Sequence, residues 1–352
     1  MRIGFDAKRY FNNFTGLGNY SRWLINNLND QIPQSIVLFH TKKQNEYNDN
    51  ISVITPEITL LKSIWRSWLI VRNLKKEKIN IYHGLSNELP FGIHKTGIKT
   101  VVTIHDLINK RYPENYAPID RWIYDIKLRY AQKYADVIIT VSEQTKKDII
   151  NYYKTDESKI RVIPIGISKK KTSTKKSDKP YILCVSSFTK RKNIRTLLEA
   201  FESIKSKKIT LKVVGSHGNT SKEIIRLAKK NPRVELQFNV SNEKLNELYK
   251  NCEFCIYPSL FEGFGIPILE AFSFGKTIAT SNISSMPEVG KNAAMYFDPK
   301  DHLSVRQAIL QLMNQDIREE FEKKIPKTLQ LFDSNKLIET YKSTYDELMT
   351  TI

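Results

Sequence analysis

The chain has 352 residues, 40% hydrophobic and 26% charged, which excludes a disordered or fibrous protein and favours two hydrophobic cores over one. A formal net charge of +19 points to an anionic partner such as a phosphate, an acidic lipid or a nucleic acid, while three cysteines are too few for a disulfide framework. No run approaches the ~20 apolar residues that span a bilayer, and the opening MRIGFDAKRYF has no apolar leader core, so a cytoplasmic chain, or one peripheral at the inner face of a membrane, is expected.

Short β-rich runs alternate with amphipathic stretches through most of the length, the pattern of α/β domains with parallel sheets. Residues 2–6 read as a buried strand. Thr15-Gly16-Leu17-Gly18-Asn19 follows it and opens a helix over 17–28, so its backbone can approach an anion, although two glycines also suit a simple turn. Residues 60–78, LLKSIWRSWLIVRNLKKEK, combine Trp65 and Trp68 with lysine and arginine; this suits a helix packed on the first sheet or one lying on a lipid surface. Further strands are predicted at 79–83, 100–105 and 136–142, and a helix over 121–134. His105 and Asp106 end the 100–105 strand, at the carboxyl edge where an α/β domain places its ligands, but a lone histidine is often structural and Asp106 can simply cap the next turn.

Residues 168–180, SKKKTSTKKSDKP, are polar and lysine-rich without an apolar period and read as a tether between domains. The division is therefore an N-terminal domain at 1–168, a linker at 169–180, a C-terminal domain at 181–330, and a final helix at 331–352 that can pack back on the first domain. In the second domain, strands are predicted at 181–186, 210–215, 234–238 and 254–258, with helices over 195–204 and 242–249. Cys252 and Cys255 form a C-x-x-C pair, but nothing nearby completes a zinc site, so buried core thiols are expected.

The most informative segment is 258–280, PSLFEGFGIPILEAFSFGKTIAT. Gly263 and Gly265 make a tight loop, Pro267 suits the first turn of a helix, and Gly275 ends that helix before another strand. A strand, a glycine loop and a helix N-terminus together form a phosphate cradle, because the backbone approaches closely and free N–H groups point outward. Glu262 beside such a cradle would repel phosphate, so a sugar hydroxyl is its expected partner, whereas Glu270 lies a turn into the helix and can accept two hydroxyls, as from a ribose. Lys190-Arg191-Lys192-Asn193, after the first strand of this domain, can neutralise charge on a departing diphosphate, though a basic turn is often merely solvated.

Glu262 and, after seven intervening residues, Glu270, around Gly-Phe-Gly and Pro267, resemble the signature of retaining glycosyltransferases of the GT-B fold, family 4. That resemblance implies an α/β architecture of two Rossmann-like domains facing across a cleft, the first for the acceptor and the second for a nucleotide sugar. It implies that Glu270 holds the ribose, that Glu262 faces the donor sugar, and that Gly263, Phe264 and Gly265 meet sugar and diphosphate. By the same resemblance Arg191 and Lys192 bind phosphate, Gly16 and Gly18 close over it, His105 touches the donor sugar near its reacting face, and Phe238-Asn239-Val240-Ser241 lies beside the base, with Val240 a donor contact. Ser285-Met286-Pro287-Glu288 fits the second domain, either as part of the site or as a packing turn. Departures are Ser186 and Ser187, where many relatives carry another arginine, and Ile165 and Ser168 in the stretch leading between the domains.

The implied catalytic set is His105, Arg191, Lys192 and Glu262. The implied reaction moves a hexose, preferentially mannose from GDP-mannose, to a saccharide or lipid-linked saccharide acceptor in polysaccharide biosynthesis. Neither a metal nor another cofactor is expected, since the chain has no Asp-x-Asp and Arg191 and Lys192 would take the metal's place. The expected partners are donor, acceptor and an anionic membrane surface, with no nucleic acid. A nucleotide-sugar epimerase of the same fold and a non-catalytic nucleotide-sugar-binding module are the alternatives.

Overall fold

The computed structural model describes residues 1–13, 15–42, 51–56, 62–167, 179–206 and 208–350. The chain divides into two compact units, Met1–Gly166 with Ser334–Ile352, and Ile167–Asp333. The lysine-rich tether expected at 169–180 falls almost wholly on 168–178, outside the described residues. The units exchange chain at Gly166 and again at Asp333, and there Ile167 N donates to Phe332 O at 3.0 Å and Ile167 pairs with Asp333 in a parallel bridge. This pairing draws the start of the second unit back to Ile167 and its end forward to Asp333.

Among the described residues, the first unit holds β1 (Ile3–Asp6), β2 (Ile36–Phe39), β3 (Ser52–Ile54), β4 (Ile81–Gly84), β5 (Lys99–Ile104), β6 (Val137–Thr140) and β7 (Ile160–Val162), in the order β3-β2-β1-β4-β5-β6-β7. The second holds β8 (Tyr181–Val185), β9 (Thr210–Gly215), β10 (Val234–Phe238), β11 (Phe254–Tyr257), β12 (Ile278–Ser281) and β13 (Ala294–Phe297), in the order β10-β9-β8-β11-β12-β13. Every pairing is parallel. Helices cover both faces of such sheets, so β1, β2, β4, β6, β11 and β12 are buried along their whole length. Each sheet reverses its strand order once, between β1 and β4 in the first unit and between β8 and β11 in the second. Loops leaving the carboxyl ends of those strand pairs run in opposite directions and open a crevice, the usual place for a ligand.

Each unit has an apolar core, in the first around Phe39, Leu74, Val102 and Ile138 and in the second around Phe188, Leu197, Phe201 and Phe254. The tryptophan-rich stretch at 60–78 joins the first of them through Trp65, Ile70 and Leu74, as a helix packed on the first sheet would, while Trp68 stays exposed. Helix Ser334–Thr350 lies in the first unit against helix Gly16–Gln31. Its Tyr341 hydroxyl meets that of Tyr20 at 2.9 Å, and Ser334 Oγ accepts from Trp23 Nε1 at 3.0 Å. No helix among the described residues is long and apolar enough to cross a membrane.

Candidate active site

At the switch point of the second unit, β8 leads through the turn Lys190–Lys192 into helix Ile194–Glu202, and β11 leads through 258–265 into helix Ile266–Ser273. The two loops are sewn together by main chain. Leu260 N donates to Arg191 O at 2.8 Å, and Asn193 Nδ2 reaches Pro258 O at 3.2 Å and Pro299 O at 2.7 Å. Asn193 sits at φ 57°, in the left-handed region that asparagine tolerates, and this bend lets the turn enter its helix. Gly265, at φ 108°, caps the other helix in a conformation that a side chain would strain, and Pro267 follows in the first turn.

Between the loops Arg191, Lys192 and Glu262 form one buried cluster. Glu262 Oε1 accepts from Arg191 Nη1 at 2.6 Å, Lys192 Nζ at 2.7 Å and Ser259 Oγ at 2.6 Å. Lys192 Nζ also donates to Tyr257 OH at 2.7 Å, and Arg191 Nη1 to Phe261 O. Burial alone would push the Glu262 carboxyl up, but the neighbouring Lys192 and Arg191 outweigh it and hold the group down at about 2. Burial likewise pulls Lys192 below the usual lysine range, and the Glu262 carboxylate resists the shift. One carboxylate against two cations leaves a net single positive charge with only 10–15% of each side chain exposed. In so sheltered a site, a charge acts on a neighbouring anion far more strongly than it would in water.

The sequence pointed Glu262 at a sugar hydroxyl; the structure shows it also holding the two cations. Two buried like charges side by side repel, and a carboxylate between them makes the pair tenable. The loop bearing Gly263, Phe264 and Gly265 is pinned from below by two serines after β12. Ser284 Oγ donates to Glu262 O at 2.7 Å, and Ser285 Oγ donates to Glu262 O at 3.0 Å and Phe264 O at 2.8 Å. A turn into the next helix, Glu270 Oε2 accepts from Tyr249 OH at 2.8 Å, and the Tyr249 ring stacks on Phe274 with centroids 5.4 Å apart. Val240, half-buried, follows β10 at the sheet edge, just after Asn239 at φ 53°.

At the carboxyl end of the first unit's sheet, a cavity of about 260 Å³ is lined by His105, Asp106, Arg9, Leu17, Asn87 and Tyr124 among others. His105 Nε2 lies 2.9 Å from Leu85 O, which can only accept, so Nε2 carries the proton and in the neutral ring Nδ1 carries the lone pair. Burial pushes this imidazole down to about 4, against the pull of the Leu85 carbonyl. Asp106 Oδ1 accepts from Ile108 N at 3.1 Å, the capping role open to it from sequence, while still lining the cavity. Gly16 begins helix Gly16–Gln31. Gly18 is required by its own loop, since a Cβ there would lie 1.7 Å from Asn13 O, and its N–H is held at 3.1 Å by Asn13 Oδ1. Cys184, Cys252 and Cys255 are free and buried, and among the described residues no three His, Cys, Asp or Glu side chains gather to hold a metal ion.

Two family descriptions match the chain: "Glycosyltransferase Family 4" over residues 15–171 and "Glycosyl transferases group 1" over residues 167–328. The chain belongs to the group 1, family 4 glycosyltransferases. It is 28% identical over 357 residues to O-antigen chain mannosyltransferase B of Escherichia coli, covering 90% of this chain and 91% of that protein. Among solved structures it resembles sucrose-phosphate synthase from Thermosynechococcus elongatus, with a TM-score of 0.83, 18% identity and full coverage of both chains. Anabaena HepE in complex with UDP-glucose matches with a TM-score of 0.78 and 14% identity over 99% of this chain and 100% of that one. These neighbours establish the GT-B fold.

In this glycosyltransferase the group 1 match spans the whole Arg191, Lys192 and Glu262 cluster with its Gly263–Gly265 loop, Glu270 and Val240, and the family 4 match spans Gly16, Gly18 and His105. Four residues that sequence reasoning missed, Tyr249, Tyr257, Ser259 and Ser284, hold the second unit's cluster and its loops, together with Ser285, which the sequence left between a site residue and a packing turn. Ser259 carries a local signal, three residues before Glu262. Tyr249, Ser284 and Ser285 act across more than 20 residues of chain, where spacing is silent.

Proposed function

We propose that this glycosyltransferase moves a hexose with retention and without a metal ion, preferentially mannose from GDP-mannose, onto a saccharide or lipid-linked saccharide acceptor in polysaccharide biosynthesis. The observation that carries the reading is the buried residual positive charge of Arg191 and Lys192 at the switch point of the second unit's sheet. As an acceptor hydroxyl bonds to the anomeric carbon, the bond from that carbon to the diphosphate oxygen breaks, its electron pair stays on the diphosphate, and the hydroxyl's proton leaves with that diphosphate. The two fixed cations lie ready for that charge, and the sugar passes through an oxocarbenium-like state. Glu262, held down at about 2, stays ionised throughout the working pH range and donates no proton. With Oε1 committed to the cations and Ser259, it is a support for them and a polar neighbour for sugar hydroxyls rather than a displacement nucleophile.

Glu270, braced by Tyr249, takes the ribose, and Gly263, Phe264, Gly265 and Val240 line the donor; Gly16, Gly18 and neutral His105 are the residues that the first unit offers. The likeness to an O-antigen chain mannosyltransferase over 90% of the chain favours mannose and polysaccharide assembly. The fold-level likeness to a protein complexed with UDP-glucose makes UDP-sugars the comparison to run. Melting curves with GDP-mannose, UDP-glucose and UDP-galactose test the donor, because a ligand binding only the folded state raises the melting temperature. A rise with GDP-mannose alone is the expected result; a rise with a UDP-sugar alone replaces the donor. Conversion of donor in the absence of acceptor would instead indicate the epimerase.

A further inference from the structure

Helix Pro118–Tyr134 turns an unusual face to solvent. Ile119, Trp122, Ile123 and Ile126, at helical spacing, are all exposed, Ile119 by 59% and Trp122 by 62%. The same face continues into Arg129 and Lys133. The helix is held to its unit by its other side, through Leu128, Ala131 and Gln132. The apolar face also runs on to a neighbouring element: Trp68, 58% exposed, stacks on Phe91 at 4.8 Å, and Phe91 meets Tyr130 at 4.7 Å. A contiguous exposed apolar surface of this kind marks a docking site.

Where the apolar stripe ends, a cavity of about 300 Å³ opens, lined by Arg129, Lys133, Lys154, Lys159, Gln132 and Thr155, with Tyr153 beside them and Asp156 as the one acid. Gln132 is 6% exposed; its Oε1 accepts from Thr155 Oγ1 at 2.5 Å, and its Nε2 is buried with no hydrogen-bond partner. A buried N–H donor without a partner, set among four cations, matches an oxyanion.

We propose that this face docks on an anionic lipid bilayer, the Ile119–Trp122–Ile123–Ile126 stripe entering the interface and the basic cavity at its end receiving a lipid phosphate. Apolar side chains beside cations are the composition of an interfacial helix. A second copy is a poor occupant, since each carries a net charge of +19 and a self-paired face would bring these cations together. The arrangement also gives the surface a task. Tyr124 and Leu128 of the same helix line the His105 cavity, so a lipid-linked acceptor would be held beside it. That last step rests on the proposed function; the docking does not.

The test is co-sedimentation of the full chain, without donor or acceptor, with vesicles of phosphatidylcholine alone or mixed with phosphatidylglycerol. Binding to the anionic vesicles only is expected. Trp122→Ser with Ile126→Ser should weaken it about tenfold or more, and Lys154→Ala and Lys159→Ala about fivefold each. The rise in melting temperature with nucleotide sugar should be the same in these variants as in the parent, so a wrong donor assignment and a wrong docking face give different results. The proposal is overturned if the variants bind vesicles like the parent or if neutral vesicles bind equally well. It also fails if inorganic phosphate stabilises the protein through Lys154 and Lys159 while vesicles do not bind, or if light scattering shows a dimer that the Trp122 variant dissolves.

Discussion

Glu262 stands between two cations that burial would otherwise set against each other, and its removal has two consequences of different kinds. Glu262→Gln keeps the shape but leaves Arg191 and Lys192 buried without their counter-charge, which should cost about 3–5 kcal/mol of stability. Because the folded group is held at about 2, below the ordinary value of 4.5, the folded state binds fewer protons than the unfolded one between these values. The stabilisation is therefore complete above about pH 4.5 and lost as pH falls through about 2. Denaturant titrations of parent and variant should diverge at neutral pH and converge in acid. Glu270→Ala should raise the donor KM about tenfold or more while kcat changes little, since the contact belongs to the nucleotide and not to the reacting centre. An unchanged KM would remove the ribose assignment. At this scale, the glutamate pair and the basic turn were legible because each sits in a local pattern of glycine, proline and charge. What Ser284 and Ser285 do was not, for their hydrogen bonds reach back to Glu262 and Phe264 from the loop after β12, more than 20 residues on.

Helix Ser334–Thr350 shows how an element can owe its place to a distant one. Its Tyr345 hydroxyl meets His83 Nδ1 at 2.8 Å, and His83 Nε2 meets Thr103 Oγ1, also at 2.8 Å, all of it buried beneath Tyr20 and Tyr341. Tyr345→Phe leaves a buried ring nitrogen without its partner and should cost about 1–3 kcal/mol, measured by denaturant unfolding. Burial pushes His83 down to about 3, so here too the unfolded state binds the extra proton. The contribution is present above the ordinary imidazole value of 6.5 and erodes as pH falls from there through about 3. Strands and helices were readable where the local pattern is clear: 210–215 and 234–238, in which apolar residues are interrupted by Lys212, Glu235 and Gln237, carry the same limits in sequence and structure. β2, β3 and β13, of three or four residues, were not read from the sequence, although β1, β4, β6 and β11 are no longer than four residues themselves. The 60–78 stretch was ambiguous because Trp65 and Trp68, one turn apart, face core and solvent respectively.

For the whole molecule, length alone argued for two cores, and the alternation of β-rich runs with amphipathic stretches placed both in the α/β class. The division at Gly166 and Asp333 was less legible, because the start and end of the second unit pair with each other through Ile167 and Asp333, some 170 residues apart in sequence. Two cores also imply that melting need not be a single event. Nucleotide sugar should raise the transition of the second unit more than that of the first, which two-transition calorimetry would resolve; an equal rise in both would mean that the donor is not held chiefly by the second unit. The central claim, however, is that the buried cations serve the departing diphosphate, and the steady-state kinetics of Lys192→Ala test it most directly. The account predicts that kcat falls about 10²–10³-fold with the donor KM nearly unchanged. A raised KM with an undiminished kcat would contradict it, and Lys192 would then be a donor-binding residue alone.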